Sequence, residues 1–362
     1  DHIAELLDAG VIEESKSPFS SNIVLVRKKD NSLRLCVDYR KLNSRTKKDS
    51  YNIPRVETLI DSLRGAKYFA SLDMISGYHQ CRIFSEHKER TAFSTPCGFY
   101  QYIKMAFGLC GSPSTFQRLM HRTLDGLIMK VCVVYLDDII VYASSKQGLY
   151  DNLRQVFDRL RVANLRLRPN KCHFFQEQID FLGHTVSNEG VQCSKKHIAD
   201  VLAWSEPRDV KELQVFLGFA NFHRRYVSGF ARLAEPLTKL LKGHTHKGKF
   251  RSKYKSKLSN SDPTPWTWGE EQRTAFQAIK DALTSPPCLA YPDPDKPYQL
   301  HVDASRTALG CALYQKDDIG KLHPVAFGSR TLNKSERNYS AHKHEFLALK
   351  WAITVKFSYY LY

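Results

Sequence analysis

Between Val131 and Ala143 two apolar, β-rich runs, Val131-Cys132-Val133-Val134-Tyr135-Leu136 and Ile139-Ile140-Val141-Tyr142-Ala143, enclose the pair Asp137-Asp138. Runs of this composition read as strands, and two of them separated by so little chain read as a hairpin with both acids at its turn. Adjacent carboxylates repel each other, and partial burial adds a desolvation penalty of several kcal/mol per ion, so something must compensate. For the pair taken alone, a solvated turn without function is the simpler reading. Asp73 changes the balance. It closes a third β-like run, Tyr68-Phe69-Ala70-Ser71-Leu72-Asp73, and is followed by Gly77, where the backbone can approach a ligand closely. Three carboxylates at neighbouring strand ends offer hard oxygen ligands for magnesium ions and leave positions for water and phosphate oxygens. Two such ions roughly 3.5–4 Å apart can activate an attacking hydroxyl and stabilise the leaving oxygen of an in-line phosphoryl displacement.

Charge points to the partner of that chemistry. The 362 residues carry 54 Lys+Arg against 37 Asp+Glu, a net charge of +17, and an excess of this size favours a polyanion because each phosphate contact releases condensed counterions. No apolar run approaches the roughly 18 residues of a membrane span, and 12% aromatic residues exclude a disordered chain. The chain opens at Asp1 without a basic n-region or an apolar h-region, so no secretory signal is expected, and it reads as a fragment or a processed product. Nine cysteines, an odd number with no CxxC pair, read as reduced and mostly buried. Reduced thiols fit a cytoplasmic setting.

Along the chain, Ile3 to Ile12 reads as a short helix with Gly10 at its end, and Ile23–Val26 with Leu33–Arg40 as a hairpin with a basic tip. Helices are expected over Ser112–Leu127 and through Leu153, Val156, Phe157, Leu160 and Leu165. Phe181 to Val186 reads as one strand leading to a turn at Asn188-Glu189-Gly190. Asp209 with Glu212, and Thr267 with Glu270, read as N-caps with their reciprocal partners. Lys242 to Lys257 holds seven Lys or Arg and no acid, which suits a flexible basic linker and a domain boundary. The remainder reads as three strands (Tyr298–Ala304, Leu309–Tyr314, Pro324–Gly328) and a helix from about Ser340. His342, His344 and Glu345 give only a weak zinc signal.

Val134-Tyr135-Leu136-Asp137-Asp138, with Leu72-Asp73 and Ser76-Gly77-Tyr78-His79-Gln80 upstream, resembles the reverse transcriptase of gypsy-type long-terminal-repeat retrotransposons. The likeness extends, in the family's order, to Cys36-Val37-Asp38-Tyr39-Arg40-Lys41-Leu42-Asn43, Phe107-Gly108-Leu109 with Ser112-Pro113-Ser114-Thr115-Phe116-Gln117, and Lys171-Cys172-His173-Phe174-Phe175. Phe181-Leu182-Gly183-His184 and Phe216-Leu217-Gly218-Phe219-Ala220-Asn221-Phe222 carry it further, so that it covers essentially the whole chain. Ala106, where proline is common, and Cys110-Gly111 depart from the usual pattern near the nucleotide site.

The resemblance implies an α+β right-hand polymerase followed by an incomplete RNase H-like α/β domain: fingers at 1–48 and 81–111, palm at 49–80 and 112–188, thumb at 189–241, a basic linker or connection at 242–295, and a partial RNase H-like domain at 296–362. It implies RNA-directed DNA synthesis with Asp73, Asp137 and Asp138 as catalytic ligands of Mg2+, or Mn2+ in its place. By position, Lys28 and Arg34 resemble the residues that grip the triphosphate, Tyr78 the steric gate against a ribose 2′-hydroxyl, and Phe107 the residue packing under the sugar. Phe181, Leu182, Gly183 and His184 resemble the hairpin that holds the primer end. The simpler alternative is that Tyr78 and Phe107 are core aromatics and Lys28 a solvated turn charge. Asp303 and Glu345 resemble the first two acids of an RNase H site whose third acid would lie beyond Tyr362, so RNase H activity is expected to be lost or severely impaired. The implied partners are RNA template, DNA primer-template, RNA–DNA hybrid and deoxynucleoside triphosphates, with no membrane; a dimer or other Pol polyprotein segments stay open as partners. The implied location is the cytoplasm, within retrotransposon particles. The rival reading is a domesticated or non-catalytic nucleic-acid-binding subunit that keeps the polymerase fold.

Overall fold

The computed structural model describes residues 2–27, 31, 33–242, 244, 265–285 and 287–362, without the side chains of Leu33 and Arg34. Lys28 and nearly all of the basic run from Lys242 to Lys257 lie outside the described residues, as does the side chain of Arg34. The chain divides into two compact units, Asp1–Ile179 and Asp180–Tyr362.

The first unit opens with α1 (His2–Asp8), which ends where Gly10 takes φ +57°, followed by β1 (Ile12–Glu14). The expected basic hairpin is β2 (Ile23–Arg27) against β3 (Leu33–Val37). Then come α2 (Arg40–Arg45), α3 (Val56–Asp61), β4 (Tyr68–Asp73), a 3-10 turn at Gly77–Gln80, α4 (Ser85–Lys88), β5 (Phe93–Thr95) and β6 (Gly98–Tyr102). α5 (Ser112–Thr123) is shorter than the pattern predicts, because the chain leaves the helix ahead of Gly126, which sits at φ +78°. β7 (Cys132–Tyr135), β8 (Asp138–Ala143), α6 (Lys146–Val162) and β9 (His173–Gln176) complete the unit. Leu165 falls past the end of α6 yet is buried with it.

Two cores organise these elements. The sheet β7-β8-β4-β9 lays Ala70, Leu72, Val134, Ile139 and Val141 against Phe116 and Met120 of α5 and Leu149, Leu153, Val156 and Leu160 of α6. Spacings of three and four residues along both helices put these side chains on one buried face. The sheet β1-β6-β5 builds a second core around Ile12, Tyr39, Phe93, Tyr100 and Tyr102.

The second unit begins with β10 (Gln178–Phe181), β11 (His184–Ser187) and β12 (Gly190–Cys193), a three-stranded sheet. The single strand expected over Phe181–Val186 is therefore two. Leu182 at φ +49° and Gly183 at φ +84° form a two-residue turn with both central residues at positive φ, the type I′ pattern, and reverse the chain within an apolar run. After α7 (Lys195–Leu202) and α8 (Val210–Phe222) come the short α9 (Phe230–Leu233) and α10 (Glu235–Lys239), then α11 (Glu270–Thr284). Asp209 caps α8 as expected, accepting from Glu212 N–H at 2.7 Å, while Glu212 accepts from Arg208 N–H at 2.8 Å, one residue before the cap. At α11 the expected cap is replaced: Gly269, not Thr267, is the N-cap, and its N–H donates to Gln272 Oε1 at 3.1 Å.

The chain ends in β13 (Tyr298–Ala304), β14 (Ala308–Lys316), β15 (Leu322–Thr331), α12 (Ala341–Trp351) and α13 (Ser358–Leu361). β14 is central in the antiparallel sheet β13-β14-β15; β13 has the expected bounds, while β14 and β15 run longer than their apolar stretches suggested. All nine cysteines are free, but only Cys132, Cys193 and Cys311 are fully buried and Cys97 is exposed, so the expectation of mostly buried thiols fails. Among the described residues no helix is long and apolar enough to cross a membrane.

Candidate polymerase active site

The β7-β8 hairpin carries the acids, but its turn is one residue earlier than the sequence suggests. Tyr135 pairs with Asp138, so Leu136 and Asp137 form the turn and Asp138 is the first residue of β8. Leu136 holds φ +53°, a conformation that costs a β-turn leucine of order 1–3 kcal/mol unless its surroundings enforce it. Gln117, fully buried on α5, enforces it: its Oε1 accepts from Leu136 N–H at 2.7 Å and its Nε2 donates to Val134 O at 3.3 Å. Gln117→Leu leaves the Leu136 amide without that acceptor and should lower stability by about 1–3 kcal/mol in chemical denaturation; an unchanged denaturation midpoint would remove Gln117 from this role.

The adjacent strand supplies the third acid. Asp73 at the end of β4 stands in register with Asp138. Asp73 also approaches Arg168, whose Nε lies 4.0 Å from Oδ1 and whose backbone N–H donates to Asp73 O at 2.8 Å. The structure thus brings Asp73, Asp137 and Asp138 together at one end of one sheet. Burial, then the charges of Asp138 and Asp73, push the Asp137 carboxyl up to about 6. Burial and the charge of Asp73 raise Asp138 as well. Asp137 Oδ1 is buried and has no hydrogen-bond partner. A buried carboxylate oxygen with nothing to accept from, flanked by two further carboxylates, has the chemistry of a hard divalent-cation site. Gly77 packs directly against it: a Cβ there would lie 2.5 Å from Asp137 Oδ1 and 3.0 Å from Phe116 Cζ. Gly77 was expected to admit a ligand to the backbone; what approaches it is the carboxylate itself.

Tyr78 and Phe107 meet beside the acids, with ring centroids 4.9 Å apart, and Tyr78 also touches Phe116 at 5.6 Å. Tyr78 is half-buried and Phe107 is 49% exposed, so Phe107 is not an ordinary core aromatic. Asn43 fixes the loop that carries Phe107: its Nδ2 donates to Gly108 O at 2.8 Å and its Oδ1 accepts from Cys110 N–H at 2.9 Å. Neither Asn43 nor Gln117 was assigned a role by sequence reasoning, although both lie in the motifs that carry the resemblance. Their partners are distant in sequence, and no local pattern marks them.

In the second unit Phe181 and His184 are buried, and His184 Nδ1 shares a 2.6 Å hydrogen bond with Tyr226 Oη. Only the Leu182-Gly183 turn is partly exposed, so that turn alone, not all four residues, can touch a ligand. Asp303 lies on β13 and Glu345 on α12, which packs on that strand; both are exposed. The weak zinc signal dissolves, because His344 is buried with its Nε2 2.6 Å from Glu336 O.

An antiparallel sheet presenting two carboxylates at a β-hairpin turn and a third at the end of the neighbouring strand has the arrangement of the palm of a right-hand nucleic-acid polymerase. Residues 26–186 match the family described as reverse transcriptase (RNA-dependent DNA polymerase), and residues 268–362 match the RNase H-like domain found in reverse transcriptase. Among relatives, the Pol polyprotein of transposon opus from Drosophila melanogaster is 38% identical over 356 residues, covering 97% of this chain and 35% of its own length. Those of transposons 297 and gypsy, from the same organism, are 37% and 34% identical, covering 100% and 98% of this chain and 32% and 34% of their own lengths. The chain belongs to the reverse transcriptases of gypsy-type long-terminal-repeat retrotransposon Pol polyproteins, and spans about a third of the length of the curated relatives it matches. Two solved structures share the fold at 22% identity and 99% coverage of this chain. The foamy viral protease-reverse transcriptase dRH in complex with double-stranded DNA has a TM-score of 0.85 over 60% of that chain, and the foamy viral protease-reverse transcriptase in complex with RNA/DNA hybrid 0.81 over 46%.

Proposed function

We propose that this chain is an RNA-directed DNA polymerase that adds deoxynucleotides to a primer annealed to an RNA or DNA template, using Mg2+ or Mn2+ held by Asp73, Asp137 and Asp138. The observation that carries this reading is the unpartnered, buried Asp137 Oδ1 within a cluster of three carboxylates. Bound divalent ions would supply charge neutralisation and an activated primer hydroxyl. The chain's own residues do the positioning. The β4-β8 register fixes Asp73 beside Asp138, and Gln117 holds the turn that aims Asp137. The net charge of +17 suits a nucleic-acid template. On this reading residues 1–48 and 81–111 act as fingers, 49–80 and 112–188 as palm, 189–241 as thumb, 242–295 as linker, and 296–362 as an RNase H-like segment. Lys28 and Arg34 act on the triphosphate, and the Leu182-Gly183 turn on the primer. Such work would proceed in the cytoplasm, within element-encoded particles.

Tyr78 and Phe107 form an aromatic wall beside the acids, suited to the sugar of an incoming nucleotide. On this reading the Tyr78 ring would clash with an added 2′-hydroxyl. Tyr78→Ala should therefore raise ribonucleotide relative to deoxyribonucleotide incorporation by roughly 10–100-fold, the range open to a pocket that rejects by size. Single-nucleotide extension with dTTP and UTP on a primed RNA template measures it, and an unchanged ratio would dismiss Tyr78 as the gate.

A further inference from the structure

The second unit holds a cluster whose chemistry the polymerase reading does not use. Cys193 closes β12, His197 lies in the first turn of α7, and His223 is the C-cap of α8. One donor atom from each lies within 4.8 Å of the other two. Cys193 Sγ is 3.6 Å from His223 Nδ1, and the two imidazole rings stand 4.9 Å apart, edge to face. A tetrahedral ion with a sulfur ligand at about 2.3 Å and a nitrogen ligand at about 2.0–2.1 Å holds the two roughly 3.6 Å apart. A weak hydrogen bond to the thiol accounts for that distance equally well. It does not account for His197 Nδ1, which is buried and without a partner. Buried polar atoms are nearly always paired with protein, water or an ion.

We propose that Cys193, His197 and His223 bind a divalent ion of the zinc class through one thiolate and two imidazoles, with water completing the coordination. Thiolate and imidazole select such an ion over magnesium, so this site and the carboxylate site would draw on different metals. Cys193 and His223 are buried while His197 is partly exposed and forms the mouth. Binding exchanges the Cys193 thiol proton for the metal–sulfur bond and releases that proton to solvent, so affinity falls as pH falls.

The ion would act on the segment next to it. Gly183 packs against His197 so closely that a Cβ would sit 2.6 Å from His197 Cε1, and Ser194 N–H donates to Gly183 O at 3.2 Å. Three ligands from three successive elements would fasten α7 and the end of α8 to the sheet that carries the Leu182-Gly183 turn.

The test uses the whole chain, reduced and stripped of metal, titrated with Co2+ and then with Zn2+. Expected is a thiolate-to-cobalt charge-transfer band that saturates at about one equivalent, is displaced by Zn2+ and is untouched by excess Mg2+. Cys193→Ser should lose the band although eight other thiols remain. His223→Gln should bind at least about tenfold more weakly in competition with a chromophoric chelator. X-ray absorption of the zinc-loaded natural chain needs no variant and should give one sulfur and two imidazole nitrogens. Absence of a saturating band, its persistence at full strength in Cys193→Ser, or a zinc shell without sulfur would each overturn the proposal.

Discussion

Asp137→Asn should abolish primer extension, by more than about 10²-fold, since loss of a mere outer-shell partner of a metal ligand already costs about 10–100-fold. The same change should make the metal-free protein more stable at neutral pH. The Asp137 carboxyl titrates near 3.8 when free and is pushed up to about 6 in the fold. Below the lower value both states are protonated and the group contributes nothing. Between the two the folded state binds more protons, so stability falls as pH rises from about 4 to 6 and stays lower above that. The shift corresponds to about 3 kcal/mol at face value, and to about 1–2 kcal/mol once solvent screening of a partly exposed group is allowed for. Denaturation in a chelator at pH 4, 5, 6 and 7 should show the natural chain losing this much relative to the Asn variant. Parallel stability curves would mean that the carboxylate cluster is not strained, and the argument for a cation there would lose its electrostatic half.

Gly77→Ala should inactivate the enzyme without touching a carboxylate. Its backbone needs no left-handed conformation, so the effect is purely steric: the new methyl lies 2.5 Å from Asp137 Oδ1 and 3.0 Å from Asp137 Cγ and Phe116 Cζ. Phe116 is fully buried and cannot retreat, so the Asp137 carboxylate must move. Overpacking of this kind costs about 1–3 kcal/mol of stability, and a displacement near 1 Å at a reacting centre lowers turnover by about 10²-fold. Steady-state primer extension together with thermal melting separates the two effects. Turnover within about threefold of the natural chain would show that Asp137 tolerates displacement and that its position is not what Gly77 protects.

These expectations show where the sequence was readable and where it was not. The β7 and β8 strands were legible because β-branched side chains fill both flanks of the acids. The turn between them was misread by one residue because its register depends on Gln117, whose bond to the Leu136 amide spans 19 residues. In the same way Phe181 to Val186 looked like one strand, since an apolar run does not reveal a type I′ reversal at Leu182-Gly183. The three acids were found as a set because each adjoins an apolar strand. Cys193, His197 and His223 were not, because three elements and 30 residues separate the first ligand from the last, and only packing unites them. His344, which the sequence did single out, instead bonds the Glu336 carbonyl ahead of α12.

The most direct measurement is extension of oligo(dT) on poly(rA) by the purified chain with dTTP and Mg2+, beside a variant carrying both Asp137→Asn and Asp138→Asn. The account predicts template-dependent incorporation of dTMP by the natural chain and none by the double variant, with both folded and both binding the hybrid. A folded natural chain that binds the hybrid but adds no nucleotide with either Mg2+ or Mn2+ would contradict it.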